Sequence, residues 1–230
     1  MEKRRKSVVI TMVIAIVVLA LFAVGLVLYQ LFTGPGIKTE ELDASKAKPA
    51  TTDVNGVWHV VYGQAPNHSS VGFTFEESLP AEDKVTSGST THVEGQATVE
   101  NEKLVSGRFV VDMTQVSTDV EKRDINVRTK IFKTDEHPEA TYEVAGPVDL
   151  SGVDDQANVS ELKIPGTLSI KGKSQDVDPT FKVVRDGDKI IISTTIRINR
   201  NDFGVESPEF VAAQIAEEGD VNVLLTLEKS

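Results

Sequence analysis

A chain of 230 residues with 40% hydrophobic content carries enough apolar side chain for one domain core plus appendages. It has no cysteine, which excludes disulfides, thiolate metal sites and a cysteine nucleophile. The formal net charge is −11. Residues 33–230 hold 20 of the 24 Lys and Arg and 34 of the 35 Asp and Glu, a charge of −14 that is expected to repel nucleic acid and anionic lipid head groups rather than bind them.

Lys3, Arg4, Arg5 and Lys6 precede an uncharged run, Val8 to Phe32, in which Thr11 and Gln30 are the clearly polar side chains. As a helix rising about 1.5 Å per residue it reaches roughly 37 Å, more than the ~30 Å hydrocarbon core of a bilayer. It exceeds the roughly 7–15 residues of a signal-peptide core, and "LVLYQLFTGPG" offers no Ala-x-Ala cleavage site. Residues 7–32 are therefore expected to form a single transmembrane helix, with basic residues 1–6 in the cytoplasm and everything later exported. That expectation makes the chain a single-pass cell-membrane protein whose folded domain is extracytoplasmic. Residues 33–52, a mixture of Gly, Pro, Lys, Glu, Ala and Thr without apolar period, read as a flexible linker with a reach of about 25 Å.

From Asp53 to Ser230 the sequence alternates as β-strands do. Val71, Phe73 and Phe75 share one face of "SVGFTF", and Phe109, Val111 and Met113 share one face of "GRFVVDMTQV". Leu168 pairs with Ile170, and Phe181 with Val183. Val221, Val223, Leu225 and Leu227 line up in "DVNVLLTLEK". "DGDKIIISTTIRIN" is a turn followed by a long strand, and "GVWHVVYG", "HVEGQATVE" and "ATYEVAG" add three shorter ones. Two stretches break the pattern. "STDVEKRDINVRTKIF" reads as one or two helical turns with Ser117 or Thr118 as N-cap and Ile125, Val127 and Ile131 behind it. "SPEFVAAQIAEEGD" reads as a short helix. "ESLPAEDKVTSGSTT" reads as a polar loop. Eight to nine strands with turn signals between them predict an all-β sandwich or barrel.

Little in the chain carries chemistry. His59, His68, His92 and His137 are scattered without metal-ligand spacing, and no nucleophile elbow or phosphate loop occurs. Glu76/Glu77, Asp154/Asp155 and Glu217/Glu218 lie in polar stretches and read as solvated charge. Arg123 with Asp124, and Arg200 with Asp202, could be catalytic pairs or ion pairs beside turns. The turn-forming Gly204 favours the structural reading, so no catalytic residue, no metal site and no enzymatic activity are expected.

The motifs "NHSSVGF", "VEGQATV", "SGRFVVDMTQVSTD" leading into "KRDINVRTKIF", "HPEATYEV", "IPGTLSIKGKSQDV" and "INRNDFGV" occur in this order between Asn67 and Val205. Together they resemble the YceI-like polyisoprenoid-binding family, over about Asn67 to Leu227. The resemblance implies an extended antiparallel eight-stranded lipocalin-like barrel over 53–230, with one or two short helices. Barrels of about that size can enclose one small ligand. It also implies a long isoprenoid, a quinone or polyprenyl lipid, bound inside for transport, storage or sensing, with no other cofactor required. The chain departs from the family where Ala97 replaces an aromatic, Tyr142 replaces a Phe, and "TFEESLP" lacks a second His.

Barrel-lining candidates are Val71, Phe73, Phe75, Phe109, Val111, Met113, Tyr142, Leu168, Ile170, Phe181 and Val183. Head-group candidates are His68, Arg123 and Arg200. Expected partners are the membrane and an isoprenoid lipid, with a homodimer left open. The acidic bias and missing cysteines suit a bacterial exported domain. The rival reading is an extracytoplasmic stress-response or interaction module whose barrel is packed solid.

Overall fold

The structure, a computed structural model of the chain, describes residues 12–24, 34–78, 83–206 and 214–230. Contacts divide the chain into Met1–Gly34 and Pro35–Ser230. In the first unit, residues 12–24 form helix α1 with exposed side chains. Among the described residues no helix is long and apolar enough to cross a membrane. The remainder of the expected anchor, 7–11 and 25–32, lies outside the described residues.

The second unit is one antiparallel sheet. Its strands are β1 (Gly56–Val61), β2 (Ser70–Ser78), β3 (Asp83–Thr90), β4 (Val93–Glu100), β5 (Lys103–Asp112), β6 (Glu139–Val144) and β7 (Val148–Asp149). They continue with β8 (Ser160–Lys163), β9 (Gly166–Ile170), β10 (Lys173–Val177), β11 (Thr180–Asp186), β12 (Lys189–Asn199) and β13 (Gln214–Lys229). The neighbour order is β10-β9-β6-β5-β4-β1-β13-β12-β11-β8, with β2 paired to β13 and β3, and β7 to β5.

The thirteen strands differ from the eight expected because bends cut long strands into pieces. Only Ile164 and Pro165 separate β8 from β9, and only Asp178 and Pro179 separate β10 from β11. Each proline removes a ladder donor at the bend. Since β8 pairs with β11 and β9 with β10, residues 160–186 are one bent hairpin. Its two strands carry both ends of the neighbour order, so the sheet curls round on itself.

The "VTSGST" stretch, expected within a polar loop, is strand β3. It pairs with β2 from Val71↔Thr90 to Ser78↔Asp83. Its buried groups are hydroxyls rather than apolar side chains: Thr86 and Thr90 on the Phe73 and Phe75 face, and Ser87 and Ser89 on the other, where Ser87 Oγ lies 3.0 Å from Thr74 Oγ1. Alternation of apolar residues could not have shown it. Ile215–Asp220, expected as the end of a short helix, belongs to β13; residues 207–213 lie outside the described residues.

The helical expectation over 117–132 is met by α2 (Glu121–Asn126), followed by a π-turn (Val127–Phe132). Val120 is the N-cap residue, without a side-chain cap. Thr118 instead donates from N and Oγ1 to Asp124 Oδ1, both at 2.6 Å, and Ser117 Oγ donates to Asp124 Oδ2 at 3.1 Å. The buried carboxylate is thus an anchor for the turn. Val127 and Phe132 are buried, whereas Ile125 faces solvent.

Residues 35–52, expected as a free linker, lie against the outer wall of the sheet. Ser87 donates its N–H to the Pro35 carbonyl at 2.8 Å, and Gly36 forms a parallel bridge with Ser87. A Cβ on Gly36 would sit 1.8 Å from the Ser87 oxygen, so only glycine permits this approach. Further along, Asp43 and Asn67 exchange two hydrogen bonds of 2.9 and 2.8 Å. Leu42, Ala44 and Ala47 cover Val184, Ile191 and Leu224, which point outward from their strands. Thr51 N and Gly187 O close the strap at 2.8 Å. The strap and a Ser89↔Ser117 bridge also occupy the outer edge of β3, which would otherwise offer unpaired backbone groups.

The strands run alternately up and down. Helix α2, the π-turn, the Lys171–Gly172 turn and the 3₁₀ turn Arg200–Phe203 lie at one end, here the upper end. The Asn101–Glu102 and Gly187–Asp188 turns and residues 145–159 lie at the lower end.

Candidate functional site: an apolar bore with a charged rim

Inside the curled sheet is a cavity of about 170 Å³ lined almost wholly by apolar side chains. An engineered apolar cavity of about 150 Å³ stays dry and admits benzene, so this void is large enough to take a ligand. It is long and narrow. Along β12 it is lined from Ile190 to Ile198, which at about 3.3 Å per residue is roughly 26 Å of strand. Val54, Leu150 and Val153 close the lower end, and Arg200 at the upper end is the single charged residue of the lining.

All eleven residues expected to face the interior line this cavity: Val71, Phe73, Phe75, Phe109, Val111, Met113, Tyr142, Leu168, Ile170, Phe181 and Val183. Tyr142 and Phe181 rings meet at 6.1 Å and 57°. The Tyr142 hydroxyl donates to the Ile164 carbonyl, which satisfies both groups beside an apolar space. Burial, and secondarily the charge of Asp178, pushes its pKa up, so the phenol is neutral.

A second cavity of about 190 Å³ lies at the upper end, lined by Glu77, Thr86, Arg123, Asn126, Val127, Ile131, Glu206 and Ile215. It shares Phe73, Phe75, Phe132, Arg200 and Val205 with the first. The aromatic rings form the boundary: Phe73 stands 6.3 Å from Phe75 and 5.7 Å from Phe132. Two glycines make room for them. A Cβ on Gly219 would fall 2.3 Å from the Phe75 ring, and one on Gly88 would fall 2.8 Å from the Phe73 ring.

Of the three head-group candidates, the structure brings Arg123 and Arg200 to this upper cavity. Arg123 Nη1 pairs with Asp119 at 3.2 Å. Arg200 is spent on backbone: its Nε donates to Ala216 O at 3.1 Å and its Nη1 to Val205 O at 2.8 Å. His68 is elsewhere. It stacks on Tyr62 at 4.5 Å and lines neither cavity.

Sequence reasoning missed Trp58, Ala97, Ile164, Ile190, Ile192, Ile196 and Ile198 as lining residues. Trp58 is fully buried, with Nε1 donating to Val54 O at 2.8 Å. Asp53, Asp149 and Asp154 belong to turns instead. Backbone bonds from Asn55 and Ser151, and the Asn158 side chain, hold the three carboxyls below the usual range. Among the described residues no group of three His, Asp or Glu could hold a metal ion.

A curled antiparallel sheet around an apolar bore, with Arg200 the one charged residue of its lining, defines a lipocalin-like class of fold. The sequence model of the YceI-like domain matches residues 62–227, and the chain belongs to that family. Two solved structures share the fold. Burkholderia cenocepacia BcnA is 20% identical over 69% of this chain and 95% of its own, with a TM-score of 0.55. A polyisoprenoid binding domain from Saccharophagus degradans, implicated in plant cell wall breakdown, is 19% identical over 70% of this chain and 98% of its own, with a TM-score of 0.57. Among curated proteins nothing matches the chain.

Proposed function

We propose that residues 35–230 hold a long-chain isoprenoid, a quinone or polyprenyl lipid, in the interior cavity, and that the uncharged run 8–32 anchors the chain in the cell membrane with this unit outside the cytoplasm. The observation that carries the reading is the shape and chemistry of the bore: roughly 26 Å long, apolar throughout, and charged only where Arg200 stands. The lining matches a branched hydrocarbon tail in chemistry, and the rim matches a polar head. The name of the Saccharophagus degradans relative points to the same ligand class.

Magnitudes agree. Drug-sized ligands gain about 0.3 kcal/mol per heavy atom after ordering costs, so a forty-carbon tail gains about 12 kcal/mol, enough for slow exchange without covalent chemistry. Ligand pockets commonly measure roughly 300–1,000 Å³. The two cavities enter that range only together, so a long tail needs the ring boundary of Phe73, Phe75 and Phe132 to open. Binding, not catalysis, is the activity this site supports. The membrane anchor keeps the carrier next to the phase in which its ligand dissolves.

Trp58, the single tryptophan, lines the cavity and reports on it directly. Titration with a prenyl quinone should quench its fluorescence saturably, and a polyprenol should compete, whereas a tail-less quinone should not saturate. If neither lipid alters Trp58 emission, the interior is a packed core and the interaction-module reading replaces this one.

A further inference from the structure

We propose that the upper cavity selects the head of the bound lipid, accepting the neutral, flat carbonyl ring of a prenyl quinone over a prenyl phosphate, with Thr86 as the residue that sets this specificity. This rests on the reading of the bore as a lipid site and adds which head the site takes.

An unpaired hydroxyl supplies the first argument. Thr86 is 4% exposed and lines the upper cavity, and its Oγ1 has no hydrogen-bond partner among the described residues. It stands opposite Phe75 in the β2–β3 ladder and so shares the inward face with Phe73 and Phe75. Its neighbour Ser87, by contrast, has Thr74 Oγ1 at 3.0 Å, and that hydroxyl donates to Asn222 Oδ1 at 2.7 Å. Buried polar groups are normally hydrogen-bonded, because an orphaned one loses its water without recompense. A carbonyl oxygen entering the cavity gives Thr86 an acceptor.

Shape supplies the second. The upper cavity, about 190 Å³, exceeds the roughly 150 Å³ that admits benzene, so it has room for one six-membered ring. Phe73, Phe75 and Phe132 wall it on the side of the bore, and aromatic rings pair with another flat ring in offset or edge-to-face stacks. The tail then runs past the same three rings into the bore. A polyprenol has no ring to set against them.

Charge supplies the third. Two carboxylates, Glu77 and Glu206, and two guanidiniums, Arg123 and Arg200, line the cavity. Arg200 donates from Nε to Ala216 O, from Nη1 to Val205 O and from Nη2 to Ile215 O, so each of its nitrogens is engaged. Arg123 is paired with Asp119 at 3.2 Å. A phosphate would meet Glu77 and Glu206 where salt screens poorly, and a guanidinium could turn to it only by breaking these bonds. A quinone carries no charge to repel.

The test compares the full chain with Thr86→Val and Thr86→Ser. Each is incubated in a nonionic detergent with an equimolar mixture of a prenyl benzoquinone, a prenyl monophosphate and a prenyl hydrocarbon of equal tail length. Retained lipids are counted by mass spectrometry after gel filtration, and each unloaded protein is melted. The unaltered chain should retain the quinone several-fold over the phosphate. Thr86→Val keeps the shape without the hydroxyl and should lower the quinone-to-hydrocarbon ratio about five- to tenfold, whereas Thr86→Ser should hold it within about twofold. Unloaded Thr86→Val should melt no lower than the unaltered chain, since it removes an unpaired polar group. A lower melting temperature would mark the hydroxyl as structural and overturn the assignment. Phosphate retained over quinone, or an unchanged ratio in Thr86→Val, overturns the selection while leaving the bore a lipid site. An unaltered chain that retains none of the three lipids overturns both.

Discussion

Arg200 donates from Nε to the Ala216 carbonyl at 3.1 Å, tying the 3₁₀ turn after β12 to the start of β13. A second bond, from Nη1 to Val205 O at 2.8 Å, closes the turn over the rim of the bore. The "NRNDFGV" stretch is thus a corner, with Gly204 in the left-handed conformation at φ 63° and Phe203 buried beneath it. Asp202 is exposed, whereas Arg200 is held by carbonyls.

Arg200→Ala should therefore destabilise the unit by about 2–3 kcal/mol, the scale of charge-assisted hydrogen bonds to backbone. Asp202→Asn should stay within about 0.5 kcal/mol of wild type, as exposed substitutions do. Urea denaturation of both variants checks the contrast. Similar losses for the two would show that they work as a pair.

Removing the strap should matter more than its composition suggests. A chain starting at residue 53 uncovers Val184, Ile191 and Leu224, each worth up to about 1.5–3 kcal/mol when fully buried. Residues 35–230 should melt well above residues 53–230 in parallel thermal scans, and the shorter chain should aggregate. Equal melting temperatures would mean that the strap is dispensable.

Ala97 lines the bore, and its methyl group leaves room there for a larger side chain or a ligand. Ala97→Phe should fill that space at a cost of about 1–3 kcal/mol in stability from overpacking. Retained lipid, read by mass spectrometry, should fall several-fold while the fold persists by circular dichroism. Undiminished lipid would place the ligand elsewhere.

Tyr142 gives a pH signature. Its phenol is pushed up from its ordinary value of 10.0, chiefly by burial. In the unfolded chain it ionises near pH 10 and in the folded one it does not, so above that pH the unfolded state binds fewer protons and stability falls. The contribution is fully present below pH 10. Denaturation between pH 8 and 11 should show the decline in wild type and a shallower one in Tyr142→Phe. That variant should also lose about 1 kcal/mol at neutral pH, because Ile164 O keeps no donor from the phenol.

The interior was legible in the sequence wherever apolar and polar residues alternate cleanly. Phe73, Leu168 and Phe181 stand out because their strand neighbours are Gly, Thr, Ser or Lys. β12 was not legible as lining, because Ile190, Ile191 and Ile192 are apolar on both faces. Ile191 points outward beneath Leu42, Ala44 and Ala47, and that second burial hides the period. Val184 and Leu224 blur their strands in the same way. The strap itself has no period to detect, since it is held by backbone hydrogen bonds and a few small side chains. β3 was hidden because its buried groups are hydroxyls, and the strand count because prolines bend long strands. The charged rim was legible only in part. Arg123 and Arg200 were found from their motifs, but nothing local indicated that His68 stacks on Tyr62 away from the bore.

The most direct test of the lipid-binding account is to purify residues 35–230, extract the protein with organic solvent and analyse the extract by mass spectrometry. The account predicts one prenyl lipid per chain, either carried through purification or taken up on incubation with quinones and polyprenols. An extract that is empty, and stays empty after that incubation, would contradict it and leave a packed interaction module.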